Sequence, residues 1–101
     1  MDFNKLLEQA QKMQKDLEKM NDELNVAQFE GSASNGLVKV TINGENKMLE
    51  CEIDDSILNR DDKEMIQDLI VIAYNNAHEK AENARNDKLS KATGGLNLPN
   101  F

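Results

Sequence analysis

Apolar residues recur at Phe3, Leu6, Ala10, Met13, Leu17, Met20 and Leu24, in unbroken steps of three and four. That spacing is the inner seam of a coiled coil, and neither glycine nor proline interrupts it. It predicts a first helix over residues 1–25, starting near Asp2, which can cap it. About 22 such residues would reach roughly 33 Å at ~1.5 Å each, too far to be covered by so short a chain folded into one globule. The helix is therefore expected to leave the body of the protein. With Phe3 at heptad position a, Lys5, Lys12 and Lys19 share position c and Lys15 lies beside them at f, all pointing away from the seam.

The period then changes to two over residues 26–54, which predicts a three-stranded antiparallel meander with one apolar face. A short first strand starts at Val26 and ends before a loop over residues 31–36, which has a glycine at each end. Val38, Val40 and Ile42 then alternate with Lys39 and Thr41. Asn43-Gly44 marks a type I′ hairpin turn, since both of its central positions need positive φ. On the third strand Leu49, Cys51 and Ile53 share one side, and Met48, Glu50 and Glu52 the other.

After a connector holding Ile57 and Leu58, Asp61 and Glu64 form a capping box that predicts a second long helix over residues 61–92. Its first half is apolar nearly all round and is expected to be buried on several sides. Beyond Ala77 the inner face shrinks to alanines, and Lys80, Arg85, Lys88 and Lys91 make residues 79–91 slightly basic. Gly94-Gly95 ends the helix, leaving an extended tail over residues 93–101.

Charge and composition sharpen this outline. At 101 residues the chain is a one-domain prior, and 39% hydrophobic against 31% charged residues leaves it slightly apolar-poor for a compact monomer. A second copy supplying the missing burial is the economical expectation. The net charge of −7 argues, taken alone, against nucleic acid, although a local basic face can override the total. One cysteine, Cys51, builds no disulfide framework and reads as a small apolar filler in a strand, with a reducing compartment as the default. No stretch resembles a leader or a membrane span, so a cytosolic, soluble protein is expected.

Catalysis finds little support. His78, the single histidine, sits on the second helix among charged residues, and no local signature pairs it with Cys51 or a serine. Residues 31–36 have the glycine spacing of a phosphate loop but are followed by Leu37-Val38 where Lys-Ser/Thr is required. Asp54-Asp55 and Asp61-Asp62 lack the glycine and alternating ligands of a calcium loop. No cofactor, metal or small-molecule substrate is expected. The lysine row and the basic patch remain, either as a solvated face with local ion pairs or as a rail for phosphates. Lysines at this spacing form no bidentate base-edge set, so such a rail would hold DNA without reading it.

The seam, the run Gly36-Leu37-Val38-Lys39-Val40-Thr41-Ile42-Asn43-Gly44, then Ile53-Asp54-Asp55-Ser56-Ile57-Leu58, and the block over residues 61–77 together resemble the YbaB/EbfC family of bacterial nucleoid-associated proteins. The likeness covers nearly the whole chain, and residues 61–77 are its most specific part. It implies an α+β subunit of order α-β-β-β-α that forms a tweezer-shaped homodimer. Projecting helices would contact double-stranded DNA with little or moderate sequence preference, in nucleoid organisation and gene regulation. Carried onto this chain, the DNA-binding surface would be Lys5, Lys12, Lys15 and Lys19 with Lys80, Arg85, Lys88 and Lys91. Two readings of another class stand beside it. One is a scaffold whose seam pairs with another protein's helix; the other, weaker, is a prefoldin-like chaperone, for which three strands leave too little matched coiled coil.

Overall fold

The first element is the helix that the seam predicts. In a computed structural model describing residues 2–92, α1 spans Phe3–Val26, and Asp2 caps it by accepting a hydrogen bond from the Asn4 amide at 3.1 Å. At ~1.5 Å per residue its 24 residues make a rod about 36 Å long. Only its last third packs within the subunit: Leu24 is buried and Leu17 and Met20 are half-buried, whereas Phe3, Leu6 and Met13 are exposed. The helix takes in Val26, and Ala27 turns the chain into extended backbone, so the first strand starts later than the alternation predicts.

That strand, β1, spans Gln28–Ala33, followed by β2 at Val38–Asn43 and β3 at Met48–Ile53. They form one antiparallel sheet in the order β1-β2-β3, with Gly31 opposite Val40 and Val40 opposite Cys51. The first half of the expected loop over residues 31–36 is strand, and the reversal is confined to a turn closed by the Gly36 amide on the Ala33 carbonyl. Ser34 and Asn35 there both take positive φ, as the central pair of a type I′ turn does.

The Asn43-Gly44 hairpin corrects a second expectation. Positive φ falls on Asn46, not on Gly44, and the three-residue loop is organised by Asn43, whose Oδ1 accepts from the amides of Glu45 and Lys47. Gly44 is glycine for another reason: a Cβ there would overlap the carbonyl oxygen of Leu24, because the hairpin tip rests on the end of α1.

Two short 3-10 turns, Asp55–Ile57 and Arg60–Asp62, lead into α2, which spans Lys63–Ala92. The second turn delays the helix by two residues relative to the capping box. α2 lies across β1 and β2. Its row Ala73, Ala77 and Ala81 is buried against Val38, Val40 and Ile42. The small side chains let the helix approach until Gly31 meets the backbone of Ala73 and Ala77, leaving no room for a Cβ at Gly31. Tyr74 reaches from α2 to the hairpin tip, where its hydroxyl donates to the Asn46 carbonyl at 3.1 Å. Because that bond is exposed, Tyr74→Phe is expected to cost about 1 kcal/mol or less in urea unfolding, with the slope of the transition unchanged.

β3 receives no comparable cover, which overturns two further expectations. Cys51 is exposed within the subunit, because α2 stops short of the third strand. A register shift sets Met48, not Leu49, opposite Ile42, so the predicted single face of β3 breaks at Leu49. The first half of α2 is buried on one side only: Met65, Val71 and Ile72 are exposed. The molecule measures 70 × 23 × 17 Å with a radius of gyration of 19.3 Å, against about 13 Å for a compact chain of this length. The excess length reflects two long helices, α1 of 24 and α2 of 30 residues, set against a small sheet.

Candidate nucleic-acid interface

Helical geometry places Lys5, Lys12 and Lys19 nearly in line, since seven residues at 100° fall ~20° short of two turns, with Lys15 between the last two. All four are exposed, Lys5, Lys12 and Lys15 on the part of α1 that leaves the body and Lys19 where its packed part begins, and none makes a hydrogen bond or ion pair among the described residues. Successive members of the line stand about 10.5 Å apart along the axis. An ammonium group on a flexible stem at such a site is a mobile point charge, suited to a phosphate and to nothing that requires fixed geometry.

The four cations of α2 are differently engaged. Lys80 donates to the Glu30 carbonyl at 2.7 Å, while Asn76, one turn earlier, accepts from the Ser32 amide at 3.3 Å. Both bonds tie α2 to the backbone of β1. Arg85 is half-buried and donates through Nη2 to the Gly44 carbonyl at 2.7 Å and through Nη1 to Asn21 Oδ1 at 3.4 Å. Lys88 pairs with Glu23 of α1 at 3.6 Å, and Lys91 with Asp87 one turn back at 3.3 Å. Both pairs are largely exposed, so each is worth less than about 1 kcal/mol and yields readily to a phosphate. The structure thus separates the eight residues into four unengaged lysines on α1, two exchangeable ones on α2, and two, Lys80 and Arg85, bonded to backbone carbonyls.

The sequence reading overlooked Asn21 and Gly44, which hold Arg85, and Asn76, which bonds β1 beside Lys80. Only Gly44 carried a signal, and its Asn-Gly context pointed to a turn. His78 is half-buried, stacked on Tyr74 with 6.3 Å between ring centroids and its Nε2 3.7 Å from Glu82. Among the described residues no cluster of His, Cys, Asp and Glu could hold a metal ion, and no helix is long and apolar enough to cross a membrane.

Comparison with known proteins bears on the family and the fold. The model of the YbaB/EbfC DNA-binding family matches residues 1–96. A nucleoid-associated protein of Clostridium novyi is 41% identical over 99 residues, covering 98% of this chain and 87% of its own. One from Rickettsia canadensis is 38% identical over 99 residues, covering 98% and 92%. Among solved structures, an uncharacterized protein of Helicobacter pylori superposes with a TM-score of 0.76 at 26% identity, covering 92% of this chain and 98% of its own. With its α-β-β-β-α order and a family match over nearly its full length, the chain belongs to the YbaB/EbfC DNA-binding family.

Proposed function

We propose that this protein is a nucleoid-associated protein that holds double-stranded DNA through the lysines of α1, without chemistry and without a cofactor, and so acts in nucleoid organisation and gene regulation. The observation that carries the reading is the set Lys5, Lys12, Lys15 and Lys19, exposed along one helix and unengaged among the described residues. Lys88 and Lys91 flank the base of that helix and can join by exchanging their carboxylate partners for phosphates. Net charge opposes binding at long range, but at physiological salt the Debye length is about 8 Å, so the charges that oppose each lysine most are the carboxylates of α1 itself, Glu8, Asp16, Glu18, Asp22 and Glu23, rather than those of the body.

The functional unit in this reading is a homodimer, which would set two such helices on one duplex. Its support is the apolar surface left uncovered by the subunit: Met48 and Leu49 on β3, with Met65, Val71 and Ile72 on α2, the last two more than half exposed. Large apolar residues left exposed on a strand and a helix in this way favour association with a further surface. The relatives named nucleoid-associated proteins favour the same setting.

Electrostatic binding has a defined salt signature. If a dimer neutralises about five phosphates, log affinity is expected to fall with a slope of about −4 to −5 against log salt concentration. Mobility-shift titrations between low and physiological salt measure the slope, and sedimentation on the same samples measures the mass of the binding species. A flat salt dependence, or no binding at low salt, refutes the reading.

A further inference from the structure

The guanidinium of Arg85 stands apart from the other cations. It is half-buried, and its two terminal nitrogens are directed at two separate elements: Gly44 at the β2-β3 hairpin tip, at 2.7 Å, and Asn21 in α1, at 3.4 Å. The same hairpin tip rests on the end of α1, where Gly44 meets the Leu24 carbonyl, and is held from α2 by Tyr74 on the Asn46 carbonyl. Hairpin, α1 and α2 therefore converge on this one side chain. N-terminal to Asn21 only Leu17 and Met20 of the seam are still half-buried, α1 is exposed from Phe3 to Asp16, and all four lysines lie on that N-terminal side of the contact.

We propose that Arg85 is a positioning residue for DNA binding: a bracket that sets the angle at which α1 leaves the body, and with it the place of the lysine row. This rests on the DNA-binding reading above but makes a separate claim about it. Arg85 belongs to the basic stretch that composition marks as a phosphate surface, yet each of its terminal nitrogens donates to an acceptor inside the protein. A planar fork suits the task, because one guanidinium can hold two acceptors at a fixed angle, whereas an ammonium is a single point charge. Gly44 is part of the device, since any side chain there would push the hairpin off the Leu24 carbonyl and carry Arg85's acceptor away.

Two readouts separate a bracket from a phosphate ligand. The first is the salt slope of DNA binding by Arg85→Ala. A bracket's loss weakens affinity several-fold and leaves the slope unchanged, while loss of a phosphate ligand flattens the slope by about 0.9 per guanidinium removed. The second needs no DNA. Spin labels on Gln9→Cys and Glu79→Cys, in a Cys51→Ser background diluted into unlabelled protein, report the distance from α1 to α2. The distribution is expected to be narrow with Arg85 present, broad in Arg85→Ala, and intermediate in Asn21→Ala, which keeps the charge and the Gly44 bond. Circular dichroism verifies that each variant is folded, and Asn21→Ala alone carries the test if Arg85→Ala is not. A flattened slope with an unchanged distance distribution overturns the proposal, as does no change in either. Failure of the unaltered protein to bind DNA would refute the functional reading, while the distances would still decide whether Arg85 holds the arm.

Discussion

Replacing Lys5, Lys12, Lys15 and Lys19 together by alanine is expected to lower DNA affinity by about 10³-fold at 0.1 M salt, if four phosphate contacts are lost per dimer. Each contact contributes by counterion release, so the salt slope should flatten in the same variant. Alanine is the substitution of choice because it favours the helix and adds no repulsion. The four side chains are exposed and unpartnered among the described residues, so the folded state should keep its stability within about 0.5 kcal/mol. Fluorescence anisotropy with a labelled duplex measures the first effect and urea unfolding the second. A loss below tenfold would move the interface away from α1.

The largest effect on the fold is expected from Gly31→Ala. A single methyl at that position would overlap the Ala73 carbonyl oxygen and the Ala77 amide nitrogen and lie 2.9 Å from the Ala77 Cα. All three are backbone atoms in the middle of α2, so no side-chain rotation relieves the clash. α2 must lift from β1, and it is the element that covers Val38, Val40 and Ile42, each fully buried. Overpacking of this kind costs about 3 kcal/mol, the upper end of its usual range, because the neighbour cannot yield locally. Against a total stability of ~5–15 kcal/mol for a domain, that is a large fraction. The measurement is the urea midpoint of the variant; an unchanged midpoint would mean that α2 stands further from the sheet than described.

What could be read without coordinates follows the range of the forces involved. The seam of α1 and the alternation of Val38, Val40 and Ile42 were legible because local periodicity and burial coincide there. Gly31 was misread as loop, since its strand conformation is imposed by the backbone of α2, which lies more than forty residues on. Cys51 alternates like a core residue and is left bare, because nothing within β3 encodes where α2 stops. The basic residues were legible as charges but not as ligands. Arg85 finds its acceptors 64 and 41 residues away, and a pattern read over one helix holds no trace of them. The α1 lysines have no such partners, so local reading describes their surroundings well.

The bonds from Asn76 and Lys80 to β1 bear on how far such subunits can assemble. A bare strand edge offers unpaired amides and carbonyls to any passing strand, which makes it a template for aggregation. Here the outward Ser32 amide and Glu30 carbonyl are already occupied by side chains of α2, so part of the β1 edge is blocked. A unit with two open edges can add copies without end, whereas a unit with one is exhausted by its first partner. Blocking groups on β1 leaves fewer positions there for a neighbouring strand to add, so strand pairing between copies is favoured at the β3 edge.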